Sequence, residues 1–155
     1  MKNKYTFEEL LHKAASYCSI SEHCVSEVEA KLIVWEVLPN EQTKIISRLK
    51  KDDFINEQRF CNAFVKDKYR FNKWGKVKIS LALKTKGLSS TMIGNAFSLI
   101  DEGEYDEMLA SILKTKLAAL SYKNEYEKQG KLFRFAQSRG FESAAIERVL
   151  RKIDS

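Results

Sequence analysis

Residues 86–97, Lys86-Gly87-Leu88-Ser89-Ser90-Thr91-Met92-Ile93-Gly94-Asn95-Ala96-Phe97, recur in pattern 53 positions later as Arg139-Gly140-Phe141-Glu142-Ser143-Ala144-Ala145-Ile146-Glu147-Arg148-Val149-Leu150. In both copies a cation precedes a glycine, a large apolar residue follows it, and apolar residues then return at helical spacing (Met92, Ile93, Ala96, Phe97 against Ala145, Ile146, Val149, Leu150). Such a glycine ends a helix in the left-handed conformation, and the apolar residue after it packs back on the last turn, as in a Schellman motif. The doublet therefore reads as helix, stop, helix. Val37-Leu38 and Ile45-Ile46 stand near the corresponding places in the amino-terminal third. The chain accordingly reads as all-α, with three tandem three-helix repeats at 1–53, 54–101 and 102–155. One such unit hardly buries its own apolar face. Stacking of neighbours supplies the missing core and predicts an elongated, curved array.

Outward from this repeat, local signals place the other helices. Thr6 with Glu9 forms a capping box ahead of Phe7, Leu10, Leu11, Ala14 and Ala15, each partner satisfying an orphan backbone donor. Ser26 with Glu29 reads as a second box, opening a helix that carries Val28, Leu32 and Trp35 on one face. Pro39 restarts the chain for a helix with Ile45, Ile46 and Leu49; Asn56 caps one with Phe60, Ala63 and Phe64; Ile79, Ala82 and Leu83 mark the helix that Gly87 ends. Ser89 or Ser90 caps the next. Tyr105, Met108, Leu109 and Ile112 begin a long segment, and the polar run around Asn124 either extends it or bridges to a helix with Leu132, Phe135 and Ala136.

The chain has 155 residues, 44% of them apolar and 31% charged, with one proline and six glycines. That composition suits a folded helical protein. No run approaches the length of a membrane span and the amino terminus lacks an apolar signal core, so a cytosolic protein is expected. Three cysteines, Cys18, Cys24 and Cys61, form no regular framework; free thiols are expected.

Chemistry-bearing motifs are scarce. No phosphate loop, paired-histidine helix or nucleophile elbow occurs, and no catalytic residue or cofactor is expected. His12, Cys18, His23 and Cys24 include zinc-ligand types but lack a Cys-x-x-Cys pair, so no metal is assigned to them. The acidic cluster Asp101, Glu102, Glu104, Asp106 and Glu107 sits where a helix amino terminus welcomes negative charge. Tyr122 and Tyr126, four residues apart, form either a packing pair or a binding face.

The basic balance is the most informative surface signal. Twenty-seven cations against 21 anions give +6, and the window 66–86 holds eight cations (Lys66, Lys68, Arg70, Lys73, Lys76, Lys78, Lys84, Lys86) against Asp67 alone. Tyr69, Phe71 and Trp74 interleave with them. Cations with aromatics suit phosphates and stacked bases, or an acidic protein groove; the alternative is a solvated basic face over core aromatics. Lys128, Lys131, Arg134 and Arg139 form a second basic run in the third unit. If the units stack in register, the two runs align as a stripe suited to a long polyanionic or filamentous partner.

The same residues resemble the RecX family of recombinase regulators from about Tyr5 to Ile153. Phe54-Ile55-Asn56-Glu57-Gln58-Arg59-Phe60-Cys61-Asn62-Ala63-Phe64-Val65 is similar to the family's aromatic, acidic cap, Arg-Phe-Ala and short apolar helix. Trp74-Gly75 through Ile79, Leu83 and Lys86-Gly87-Leu88 resembles its glycine, isoleucine, leucine and Lys-Gly-Ile pattern. Ser26-Glu27-Val28-Glu29-Ala30-Lys31-Leu32 and Arg139-Gly140-Phe141 with Ile146 resemble its first and last motifs. Asn56-Glu57 stands in place of paired aspartates, Cys61 in place of alanine, and Trp74 in place of lysine.

The resemblance implies a protein that lodges in the groove of the RecA–DNA filament and usually restrains filament growth, ATP hydrolysis and strand exchange in recombination and DNA repair; a monomer is expected. Expected contacts to recombinase protomers and DNA phosphates are Lys66, Lys68, Arg70, Lys73, Trp74, Lys76 and Lys78, extended by Lys128, Lys131 and Arg134. A helical nucleic-acid-binding module needing no recombinase, and a scaffold for another acidic protein, are the alternatives.

Overall fold

A computed structural model describes residues 5–154. Among them are nine helices and no strand: α1 Phe7–Ile20, α2 Val25–Val34, α3 Pro39–Lys51, α4 Glu57–Arg70, α5 Lys76–Thr85, α6 Ser90–Phe97, α7 Glu102–Ala119, α8 Glu125–Ser138 and α9 Ser143–Ile153. Helices pack mainly within successive triplets, α1–α3, α4–α6 and α7–α9, so the chain is three tandem three-helix repeats. None of these helices is long and apolar enough to cross a membrane.

Caps start most helices where short polar residues occur. Thr6 and Glu9 exchange both bonds of a capping box at 3.2 Å; Asn56, Ser89, Asp101 and Asn124 each accept the N–H three residues on. Asn124 thus opens α8, and the polar run before it is a connector. The Ser26–Glu29 box is not formed: α2 starts at Val25, and Glu27 accepts the Cys24 N–H at 3.4 Å. The Ser26 hydroxyl instead donates 2.7 Å to the Lys86 carbonyl, a tertiary partner that outcompetes its own helix start.

The repeat shows most clearly at the ends of α2, α5 and α8. Glu36, Gly87 and Gly140 have φ of 59°, 89° and 91°. The next residues, Val37, Leu88 and Phe141, are buried and donate back to Leu32, Leu83 and Ala136, the Schellman geometry in all three units.

The two junctions between units differ in kind. Units two and three share one core, from Phe60 and Ile79 through Tyr105 and Leu109 to Phe141 and Val149, with the Tyr69, Tyr105 and Phe141 rings in sequence at 6.0 and 5.3 Å. At its edge lies α5, whose N-cap is Gly75 and which therefore has no side-chain cap. The third unit supplies one. Gly75 N–H donates to the Arg139 carbonyl and Val77 N–H to the Gly140 carbonyl, each at 2.8 Å. Lys76 N–H donates 2.9 Å to the Tyr105 hydroxyl, which in turn donates to the Glu142 carboxylate. Backbone meets backbone here, and a Cβ on Gly75 would fall 2.3 Å from the Gly140 oxygen.

Unit one has its own core around Leu10, Val28, Leu32, Ile45 and Leu49. Cys24 is its single residue in the core of the other two units. Polar contacts make up the rest of that junction: Arg59 to Glu22 at 2.6 Å and to Asp53 at 3.1 Å, Lys86 to Glu27 at 3.0 Å, and Val25 N–H to Glu57 at 3.3 Å. All three cysteines are buried free thiols, and burial with Glu57 nearby pushes Cys61 up to about 11, leaving little reactive thiolate.

The junctions can be probed by substitution and by pH. Gly87 has open space around a would-be Cβ, whereas at Gly140 that atom would lie 2.2 Å from the Lys78 Cβ. Gly87→Ala is expected to cost about 1–2 kcal/mol for its left-handed backbone alone, and Gly140→Ala about 3 kcal/mol or more once steric displacement of α5 is added, as read by urea unfolding. Burial works to raise the Glu27 carboxyl, but hydrogen bonds from Lys86 and His23 outweigh it and hold the group below its ordinary 4.5. A lowered native value means the contribution is complete above pH 4.5 and declines as pH falls through the native value. Stability measured between pH 7 and pH 3 is expected to fall, and less steeply in Glu27→Gln; equal slopes would disprove the role of this pair.

Candidate functional site

The cations expected to form the site divide into two groups. Lys76 is 16% exposed, pairs with Glu102 at 2.7 Å and lies over the Tyr105 ring at 4.6 Å. Lys128 is 14% exposed, between Glu125 at 2.9 Å and Asp154 at 3.8 Å. Lys131 pairs with Glu127 and donates to the Ser121 carbonyl, both at 2.9 Å. The hydrogen bond from Lys128 holds the Glu125 carboxyl below its usual range. These three amines serve the fold's own carboxylates. The stripe expected along the third unit is thereby largely neutralised, with Arg134 exposed and its guanidinium lying against Gly130.

The second unit keeps its charge. Among the described residues, no ion pair within 4 Å engages Lys66, Lys68, Arg70, Lys73, Lys78 or Lys84. Helix geometry spaces the first of them: Lys66 and Arg70 are exposed i,i+4 neighbours on α4, flanking the buried Val65 and Tyr69. They border a groove of about 450 Å³ with Ala63, Leu99, Ile100 and Glu104.

Past α4 the chain turns through Phe71-Asn72-Lys73-Trp74-Gly75. Phe71 N–H donates to the Asp67 carbonyl at 2.9 Å and Trp74 N–H to the Lys68 carbonyl at 3.1 Å, with Lys73 in the left-handed region at φ 56°. The three aromatics of this segment have separate fates. Tyr69 is core, with its hydroxyl pushed up first by burial and then by Glu104. Trp74 is half-buried against that core and carries two ammonium groups near its ring, Lys68 Nζ at 5.0 Å and Lys78 Nζ at 4.6 Å. Phe71 stands 80% exposed.

Sequence reasoning did not single out Phe71 as a site residue or Arg59 as a bridge between units. A helix end decides the first and residues 37 positions away the second; neither has a local signature. The acidic run is used structurally: Asp101 caps α7 and Asp106 takes both Arg148 nitrogens at 2.8 Å, which holds its carboxyl below the usual range. No group of three or more His, Cys, Asp or Glu side chains among the described residues is placed to hold a metal ion.

Comparison with known proteins supplies the lineage. The family models described as the second and third three-helix domains of RecX match residues 56–96 and 104–150, between them more than half of the chain. The "Regulatory protein RecX" of Clostridium beijerinckii is 30% identical over 129 residues, covering 82% of this chain and 60% of the relative. That of Oceanobacillus iheyensis is 24% identical over 152 residues, covering 96% and 56%. The chain therefore spans little more than half the length of these relatives. The crystal structure of RecX from Lactobacillus salivarius superposes with a TM-score of 0.87 at 22% identity, covering 96% of both chains, which shows the shared fold. With two successive modules matched in order and the three-helix architecture common to all three units, the chain belongs to the RecX family of regulatory proteins.

Proposed function

We propose that this chain is a stoichiometric, non-catalytic modulator of the RecA–DNA filament, acting through the cations of its second unit. The observation that carries this reading is the unneutralised set Lys66, Lys68, Arg70, Lys73 and Lys78 around one helix pair, while Lys76, Lys128 and Lys131 are consumed by the fold's own carboxylates. Charge left uncompensated at a surface favours a polyanionic partner and speeds encounter with it. The regulatory name of the relatives fits action on another macromolecule, and the recombinase as that partner is the expectation the family resemblance raises. A modulator that binds one state of the filament better than another shifts it by that difference in affinity, without turnover. The close packing of α4 on α6 presents the cations on a framework that needs no ordering on contact.

The test is ATP hydrolysis by RecA on single-stranded DNA as the protein is added from substoichiometric to equimolar amounts. Hydrolysis is expected to fall, and the Lys66→Glu/Arg70→Glu variant, altered only at exposed positions, to need at least roughly tenfold more protein. An unchanged rate at every ratio, or a variant as potent as the parent, would refute the proposal.

A further inference from the structure

We infer that the connector from α4 to α5, with its counterpart at the start of α8, is a site for single-stranded nucleic acid, in which Phe71 and Tyr126 stack on bases while Lys68, Lys78 and Lys73 take phosphates. The inference deepens the reading above by naming what the basic face of the second unit holds, yet it stands without a recombinase.

The first observation is the pair of ammonium groups gathered by one indole. With Nζ of Lys68 and Lys78 at 5.0 and 4.6 Å from the Trp74 ring centre, the two charges lie no more than roughly 10 Å apart. An aromatic face attracts each cation but brings no neutralising charge, so their mutual repulsion persists. The amines of Lys76, Lys86, Lys128 and Lys131 each have a carboxylate partner. These two have none. An arriving anion completes the arrangement, and Trp74 acts as the positioning residue that holds both amines to one spot.

The second observation is Phe71. An isolated exposed phenylalanine is common on a protein surface. This one is fixed at the end of α4 by its own N–H bond to Asp67, three residues before the indole, between Arg70 and Lys73. A bare ring amid cations has no use for a phosphate alone. It does suit a base whose face is free, as in a single strand, whereas duplex bases are already stacked on one another.

Repetition is the third. The connector leading to α8 carries Lys123, Tyr122 with Lys128 Nζ 6.0 Å from its ring, and Tyr126, which is 91% exposed in the first turn of α8. The equivalent connector of the first unit, Ser21-Glu22-His23, is different: Glu22 is taken by Arg59, and His23 stacks on Tyr17 at 3.9 Å. An exposed aromatic thus stands among cations at the corresponding connectors of the second and third units, whereas in the first the aromatics Tyr17 and His23 are stacked on each other.

The experiment is fluorescence anisotropy of a labelled oligo-dT of about 20 nucleotides, and of a duplex of equal length, with no recombinase present and at several salt concentrations. Phe71→Ala is expected to weaken oligo-dT binding roughly tenfold at every salt concentration, with Phe71→Tyr restoring it and duplex binding unaffected. Lys68→Gln/Lys78→Gln is expected to flatten the dependence of log affinity on log salt by about 1.4, the loss of two phosphate contacts on a single strand. Circular dichroism verifies that the variants fold. Absence of oligo-dT binding, equal loss on single strand and duplex in Phe71→Ala, or tighter binding of poly-glutamate than of oligo-dT would overturn the inference. Because the assay omits RecA, its failure leaves filament regulation standing, and a failed ATPase titration leaves this site standing.

Discussion

The trans-capping of α5 by the turn between α8 and α9 governs the geometry of the molecule. A helix that begins on glycine has no side chain to satisfy its first N–H groups, and buried donors without acceptors are costly. Here the Arg139 and Gly140 carbonyls and the Tyr105 hydroxyl satisfy them. Both sides of the contact are bare backbone, so Gly75 and Gly140 leave no room for sliding. Lys78 is consequently held where its amine reaches Trp74, and the cationic face inherits its shape from a seam between repeats.

Nothing comparable ties the first unit. Its junction rests on Cys24 and on ion pairs whose members are partly hydrated, such as Arg59 with Glu22 and Lys86 with Glu27. Pairs of that kind contribute little each and weaken with salt, whereas the apolar and backbone contacts between units two and three do not. Units two and three form one body through their shared core, and unit one docks beside it largely through polar contacts.

Much of the fold was legible because Schellman stops leave a local trace. The glycine and apolar doublets at 87–88 and 140–141 are visible in the sequence, and even the glycine-free stop at Glu36-Val37 is marked by Pro39 just beyond it. The start of α2 was not legible: Ser26–Glu29 and Cys24–Glu27 both have capping spacing, and the arbiter is a carbonyl 60 residues away. The site divided along the same line. Cation density between Lys66 and Lys86 is a property of composition, and the pairs of Lys128 with Glu125 and Lys131 with Glu127 have helical spacing, but the neutralisation of Lys76 depends on Glu102, which arrives through tertiary folding. Exposure of Phe71 and Tyr126 likewise turns on where a helix stops or starts, to within a residue.

The trans-cap also bears on the order in which the chain acquires structure. Synthesis proceeds from the amino terminus, and local helices form long before distant partners exist. The first three helices have their acceptors and core within reach as they emerge, and α4 with α6 can associate next. Helix α5 cannot be completed at that stage, because the acceptors for its opening turn lie far along the chain, at Arg139 and Gly140. The central repeat is therefore unfinished until Arg139 and Gly140 have been made, and the surface assembled around Trp74 matures together with the third repeat.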